Sequence, residues 1–88
     1  MELKDYREKI DEIDREILRL FEERMTLAGE IGRWKQENNL PVFQPDREVQ
    51  KLESLKKQAD PKWLSYDTTL FQKLFELSRS CQDERLRP

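Results

Sequence analysis

Residues 3–38 read LKDYREKIDEIDREILRLFEERMTLAGEIGRWKQEN, a run of helix-compatible residues without a proline. Apolar side chains recur along it at alternating steps of three and four. One row reads Leu3, Ile10, Ile17, Arg24 and Ile31; its companion reads Tyr6, Ile13, Leu20, Leu27 and Trp34. A seam of that period, kept from end to end, predicts one long helix. The outer positions are filled by Glu, Lys, Arg and Leu, all good helix formers. Gly29 and Gly32 lie inside the run, each about 1 kcal/mol less favourable there than alanine. Either a backbone or ligand comes close at that point, or the segment is simply weakened. Asn38 and Asn39 suit a helix end, and Pro41 cannot continue the ladder.

Working outward, Pro41 to Pro45 reads as a short extended link. Asp46 is the expected N-cap of a second helix whose apolar face is Val49, Leu52, Leu55 and Ala59. Asp60-Pro61 reads as a cap with the first helical residue, or as a turn. A third helix carries Leu70, Leu74, Leu77 and Cys81 on one row and Phe71, Phe75, Ser78 and Gln82 on the next. The tail from Glu84 to Pro88 is expected to fray. The fold class is therefore all-α, a three-helix protomer in one domain spanning residues 1–88.

Composition narrows the function. The 17 basic residues nearly balance 19 acidic ones, for a formal net charge of −2, so nothing draws the chain as a whole to nucleic acid or anionic lipid. No run approaches the ~18 apolar residues that span a bilayer. Met1-Glu2-Leu3-Lys4-Asp5 is charged and carries no apolar signal core, which makes a cytoplasmic setting the default expectation. Cys81 is the single cysteine and histidine is absent. Disulfides are excluded, and metal ligands would be limited to scattered oxygens. A chain this short buries only about 60% of its unfolded surface, which leaves a partner chain as the source of further burial.

Geometry points the same way. A helix over residues 3–38 is about 54 Å long, whereas a compact chain of this length has a radius of gyration near ~12 Å. Two shorter helices cannot cover such a seam. A second copy lying antiparallel can, giving an intertwined homodimer with an isologous interface. The alternative is a helix kinked at Gly29–Gly32 and folded as a monomeric bundle.

Arg24 interrupts the seam between Leu20 and Leu27. A charge there is solvated by its long stem, sets the register, or faces a ligand. Lys35 lies about three turns on, roughly 20° around the helix and ~16 Å along it, so the two side chains can bracket a small anion. Arg7 flanks the same stripe at the other end but lies ~25 Å from Arg24 and ~42 Å from Lys35. In an antiparallel pair, Arg7 of one chain falls beside the Arg24–Lys35 segment of the other, and three cations converge. Arg47 and Glu48 open the second helix, where they either face a ligand or serve as ordinary first-turn residues. Ser78 and Gln82, four apart, share one helical face.

Taken in order and spacing, these residues resemble the all-helical AroQ-type chorismate mutase family. The resemblance covers nearly the whole chain: Arg7-Glu8-Lys9-Ile10 with Ile13-Asp14, Glu23-Arg24, Leu27-Ala28, Ile31-Gly32 with Lys35, Pro41-Val42, Asp46-Arg47-Glu48, and Ser78 with Gln82. It implies a cofactor-free enzyme that rearranges chorismate to prephenate in aromatic amino-acid biosynthesis, with two sites shared between the chains of a dimer. Arg24 and the partner's Arg7 would hold the substrate carboxylates, with Ser78 assisting. Lys35 and Gln82 would donate to the ether oxygen of the breaking bond. Glu48 would accept from the ring hydroxyl, and Arg47 would add positive potential. Gln44 departs from the family, which often has Asp at that position. Two other readings are an isochorismate-pyruvate lyase and a non-catalytic helical module for dimerisation or for regulating an enzyme of the aromatic pathway. Stimulation by such a partner enzyme is compatible with the resemblance.

Overall fold

The chain is seen here as a computed structural model that describes residues 1–86. Helix α1 runs from Leu3 to Glu37, α2 from Pro45 to Gln58 and α3 from Leu64 to Leu86, with one 3₁₀ turn at Pro61–Trp63. The three-helix, all-α reading holds. Helix α1 passes through Gly29 and Gly32 unbroken, so the kinked bundle is excluded. At its start, the Glu2 N–H donates to the Asp5 carboxylate at 2.9 Å, half of a reciprocal capping box. At its end, Asn39 takes the left-handed conformation with φ 56°, which asparagine tolerates better than most residues. Leu40 N–H then donates to Lys35 O at 2.8 Å and Asn39 N–H to Gln36 O at 3.3 Å. That pair of bonds is a Schellman closure, and it folds the link back over the last turn of α1.

Two local expectations are corrected. The N-cap of α2 is Gln44, not Asp46, and the helix begins at Pro45. Proline suits the first helical position because its fixed φ is already helical and its missing N–H has no partner there anyway. Asp46 instead sits in the first turn, where its charge complements the helix dipole. The tail does not fray from Glu84: α3 continues to Leu86, and Arg87 and Pro88 lie outside the described residues. Asp60 behaves as a cap, accepting from Lys62 N–H at 2.9 Å.

Helix α3 packs on the C-terminal half of α1, and α2 packs on α3; among the described residues α1 and α2 do not pack on each other. The stripe of α1 that meets α3 is not the heptad seam. It consists of Phe21, Met25, Ala28 and Gly32, with Gly29 buried beside them. The glycines thus mark a close helix approach, and Cys81 Sγ reaches the Met25 carbonyl at 3.6 Å. The apolar residues of the seam stay exposed from Leu3 to Trp34, with Ile17 at 58% and Leu20 at 53%, and only Arg24 among the seam positions is part-buried. No residue before Phe21 is even half-buried. The molecule measures 54 × 27 × 14 Å with a radius of gyration of 16.2 Å, well above the ~12 Å of a compact chain.

Candidate functional site

Because α1 and α2 both lean on α3 without touching each other, a cleft of about 470 Å³ opens between them. That size suits a small metabolite. Six of the seven residues singled out in the sequence line it: Arg24, Lys35, Arg47, Glu48, Ser78 and Gln82. Arg7 does not. It is exposed on the bare half of α1, ~25 Å up the helix from Arg24.

Lys35, Ser78 and Gln82 are only 8%, 9% and 7% exposed and rank with Ala28 and Phe75 as the most buried side chains. A protomer whose best-buried groups are mostly polar must satisfy them internally, and it does. Lys35 Nζ donates to Val42 O at 2.8 Å, a contact made possible by the folded-back link, and to Gln82 Oε1 at 2.7 Å. An ammonium has three protons, so one remains for the cleft. Gln82 spends its oxygen on Lys35 and lines the cleft, which leaves its amide N–H groups as neutral donors. Arg24 Nη1 donates to Ser78 Oγ and, at 3.4 Å, to Leu74 O. The seam charge is therefore drawn sideways onto α3, and among the described residues the rest of its guanidinium fork has no hydrogen-bond partner. Ser78 and Gln82 are thus buried together and do not form a solvated polar edge of α3.

Burial lowers the affinity of Arg24 for its proton, though a guanidinium stays charged at any accessible pH. Burial also holds the Lys35 ammonium below the usual lysine value, and the Glu48 carboxylate offsets part of that. Among the described residues Glu48 is the one carboxylate on the cleft wall, which it shares with Arg24, Lys35, Arg47, Lys51 and Arg79. A site so cationic, with donors fixed on both sides, is built to hold a small dianion. Among the described residues no cluster of His, Cys, Asp or Glu could hold a metal ion, and no helix is long and apolar enough to cross a membrane.

Sequence reasoning missed three polar lining residues. Gln44 appeared only as a departure from a pattern, and Lys51 not at all. Arg79 also escaped, and it makes the tightest ion pair at the site: its Nη1 contacts both Glu48 oxygens at 2.5 Å. The available signal was its position, next to Ser78 and one turn before Gln82.

A family model described as chorismate mutase type II matches residues 6–83. Over 65 residues the chain is 37% identical to the T-protein of Haemophilus influenzae, covering 74% of this chain and 17% of that protein. Over 54 residues it is 50% identical to a bifunctional chorismate mutase/prephenate dehydratase of Aquifex aeolicus, covering 61% and 15%. A chorismate mutase of Methanocaldococcus jannaschii is 44% identical over 46 residues, or 52% of this chain and 46% of that one. The matches thus span less than half the length of these relatives. A solved structure of a conserved hypothetical protein from Pyrococcus furiosus superposes with a TM-score of 0.76 at 32% identity, covering 91% of this chain and 93% of that one.

Proposed function

Since the chain belongs to the chorismate mutase type II family, we propose that it rearranges chorismate to prephenate, as an antiparallel homodimer whose sites each take Arg7 from the partner subunit. The observation that carries this reading is the Lys35–Gln82 pair, two buried, hydrogen-bonded donors in the lining of a cationic cleft. The rearrangement breaks a C–O bond and forms a C–C bond within one molecule, with no proton moved and no nucleophile. It needs the flexible diacid held in its reactive conformer and donors aimed at the oxygen that gains negative charge. Lys35 and Gln82 supply those donors. Arg24, steadied by Ser78, takes one carboxylate and the partner's Arg7 the other. Glu48 accepts from the ring hydroxyl, and Arg47 adds positive potential.

The dimer rests on surface. The protomer exposes 7381 Å², roughly 1,800 Å² more than a compact monomer of its mass. Burying that excess on each of two copies falls in the range of obligate homodimers. The uncovered seam is apolar over the same length that a second α1 would occupy.

The direct test follows chorismate absorbance with purified protein and identifies the product. Loss of chorismate matched by prephenate is expected. No prephenate, with pyruvate released from isochorismate instead, would favour the lyase reading.

Lys35 also sets a pH dependence. Once neutral, its amine has two protons, both committed to Val42 O and Gln82 Oε1, so the third donor is lost. We expect kcat/KM to fall on the alkaline side at a pH below the ordinary lysine value, and the limb to disappear in Lys35→Arg. Stability should move the opposite way. Between the lowered folded pKa and the ordinary one the unfolded chain binds more protons, so unfolding becomes harder as pH rises. A flat rate profile to the ordinary lysine pKa would contradict the assignment.

A further inference from the structure

We propose that Arg79 is a positioning residue, clamping the Glu48 carboxylate in place at the wall of the cleft; this builds on the chorismate mutase reading above. Arg79 is only partly exposed, at 33% of its side chain against 23% for Glu48. Its guanidinium carbon stands 4.9 Å from the centre of the Phe43 ring, a cation–π contact. Phe43 thus backs the cation on one side while Glu48 takes it on the other. The pair, with Phe75, divides the cleft from a shallower groove of about 260 Å³ behind it.

The clamp answers a problem set by the charges. Glu48 is a flexible carboxylate on the first turn of α2, surrounded by cations and facing a dianion. Left free, it would swing to Lys35, whose proton affinity it already raises, and take the donor meant for the ether oxygen. It would also repel the substrate's own carboxylates. One Arg79 nitrogen on both oxygens neutralises the charge and fixes the plane of the carboxylate. A carboxylate has about four acceptor sites, so two stay open for a hydroxyl. Arg79 acts through Glu48 and not on the reacting atoms.

The test is a double-mutant cycle on kcat/KM in the intact dimer, with Arg79→Met, Glu48→Gln and both, together with Arg79→Lys. The same proteins are examined by carbon-13 relaxation of the Glu48 side chain, with melting curves to check folding and Arg79→Gln in reserve. Arg79→Met should lose roughly 10- to 100-fold, yet lose nothing more once Glu48 is Gln. Arg79→Lys should recover most of the rate, because a single nitrogen makes the contact. The Glu48 side chain should become mobile in Arg79→Met and stay rigid in Arg79→Lys. An equal loss in both backgrounds, or a Glu48 that stays rigid without Arg79, would overturn the proposal. A wild-type protein inert toward chorismate would sink the functional reading instead, while the relaxation data would still decide whether Arg79 holds Glu48.

Discussion

Replacing Lys35 by alanine is expected to lower kcat roughly 100- to 1,000-fold, and Gln82→Ala to do the same, with the helical content unchanged. The two losses should not add when combined. Each residue orients the other: Lys35 pins the Gln82 oxygen, and Gln82 with Val42 fixes the ammonium and leaves it one uncommitted proton. Removing Lys35 leaves the Gln82 amide free to flip and a buried oxygen without its donor, which also destabilises by about 1–3 kcal/mol. Removing Gln82 leaves a buried ammonium with one partner fewer. Steady-state rates on chorismate, circular dichroism and urea midpoints separate these effects. Near-normal kcat in both single variants would remove these residues from the proposed chemistry.

Much of this was legible in the sequence, for identifiable reasons. A charged residue on a strict apolar seam violates the pattern, so Arg24 stood out, and Lys35 followed by helical spacing alone. The long helix was legible because its period never breaks. The face α1 presents to α3 was not, since Ala28, Gly29 and Gly32 carry little apolar weight and look like gaps in the heptad pattern. They matter because α3 approaches closely there, a fact of packing that periodicity does not encode. The N-cap of α2 went to Asp46 because aspartate is the better cap by type, yet Pro45 sets the helix start by its backbone. Arg79 escaped because Glu48, its partner, lies 31 residues away on another helix. Only the leaning of α2 on α3 brings them together.

Arg7→Ala and Arg24→Ala are each expected to abolish measurable turnover, although their sites lie ~25 Å apart on one helix. Within a protomer nothing explains the first loss, because Arg7 is exposed on a stretch of α1 that its own chain leaves bare. An antiparallel second copy does. Pairing two seams about a two-fold axis near the helix midpoint carries the partner's Arg7 to the Arg24–Lys35 segment and covers Ile10, Ile13, Ile17 and Leu20 in the same movement. The same step that completes the site thus completes the core of a chain in which, among the described residues, Ala28 and Phe75 are the only buried apolar side chains.

Mixing the two inactive variants puts this to the sharpest test. After subunit exchange, verified by native mass spectrometry, half of the dimers pair one chain of each kind. Each mixed dimer then has one site with both arginines and one with neither, so activity should climb to about a quarter of the wild-type value. Complete exchange with no return of activity would mean that Arg7 and Arg24 do not serve one site across two chains.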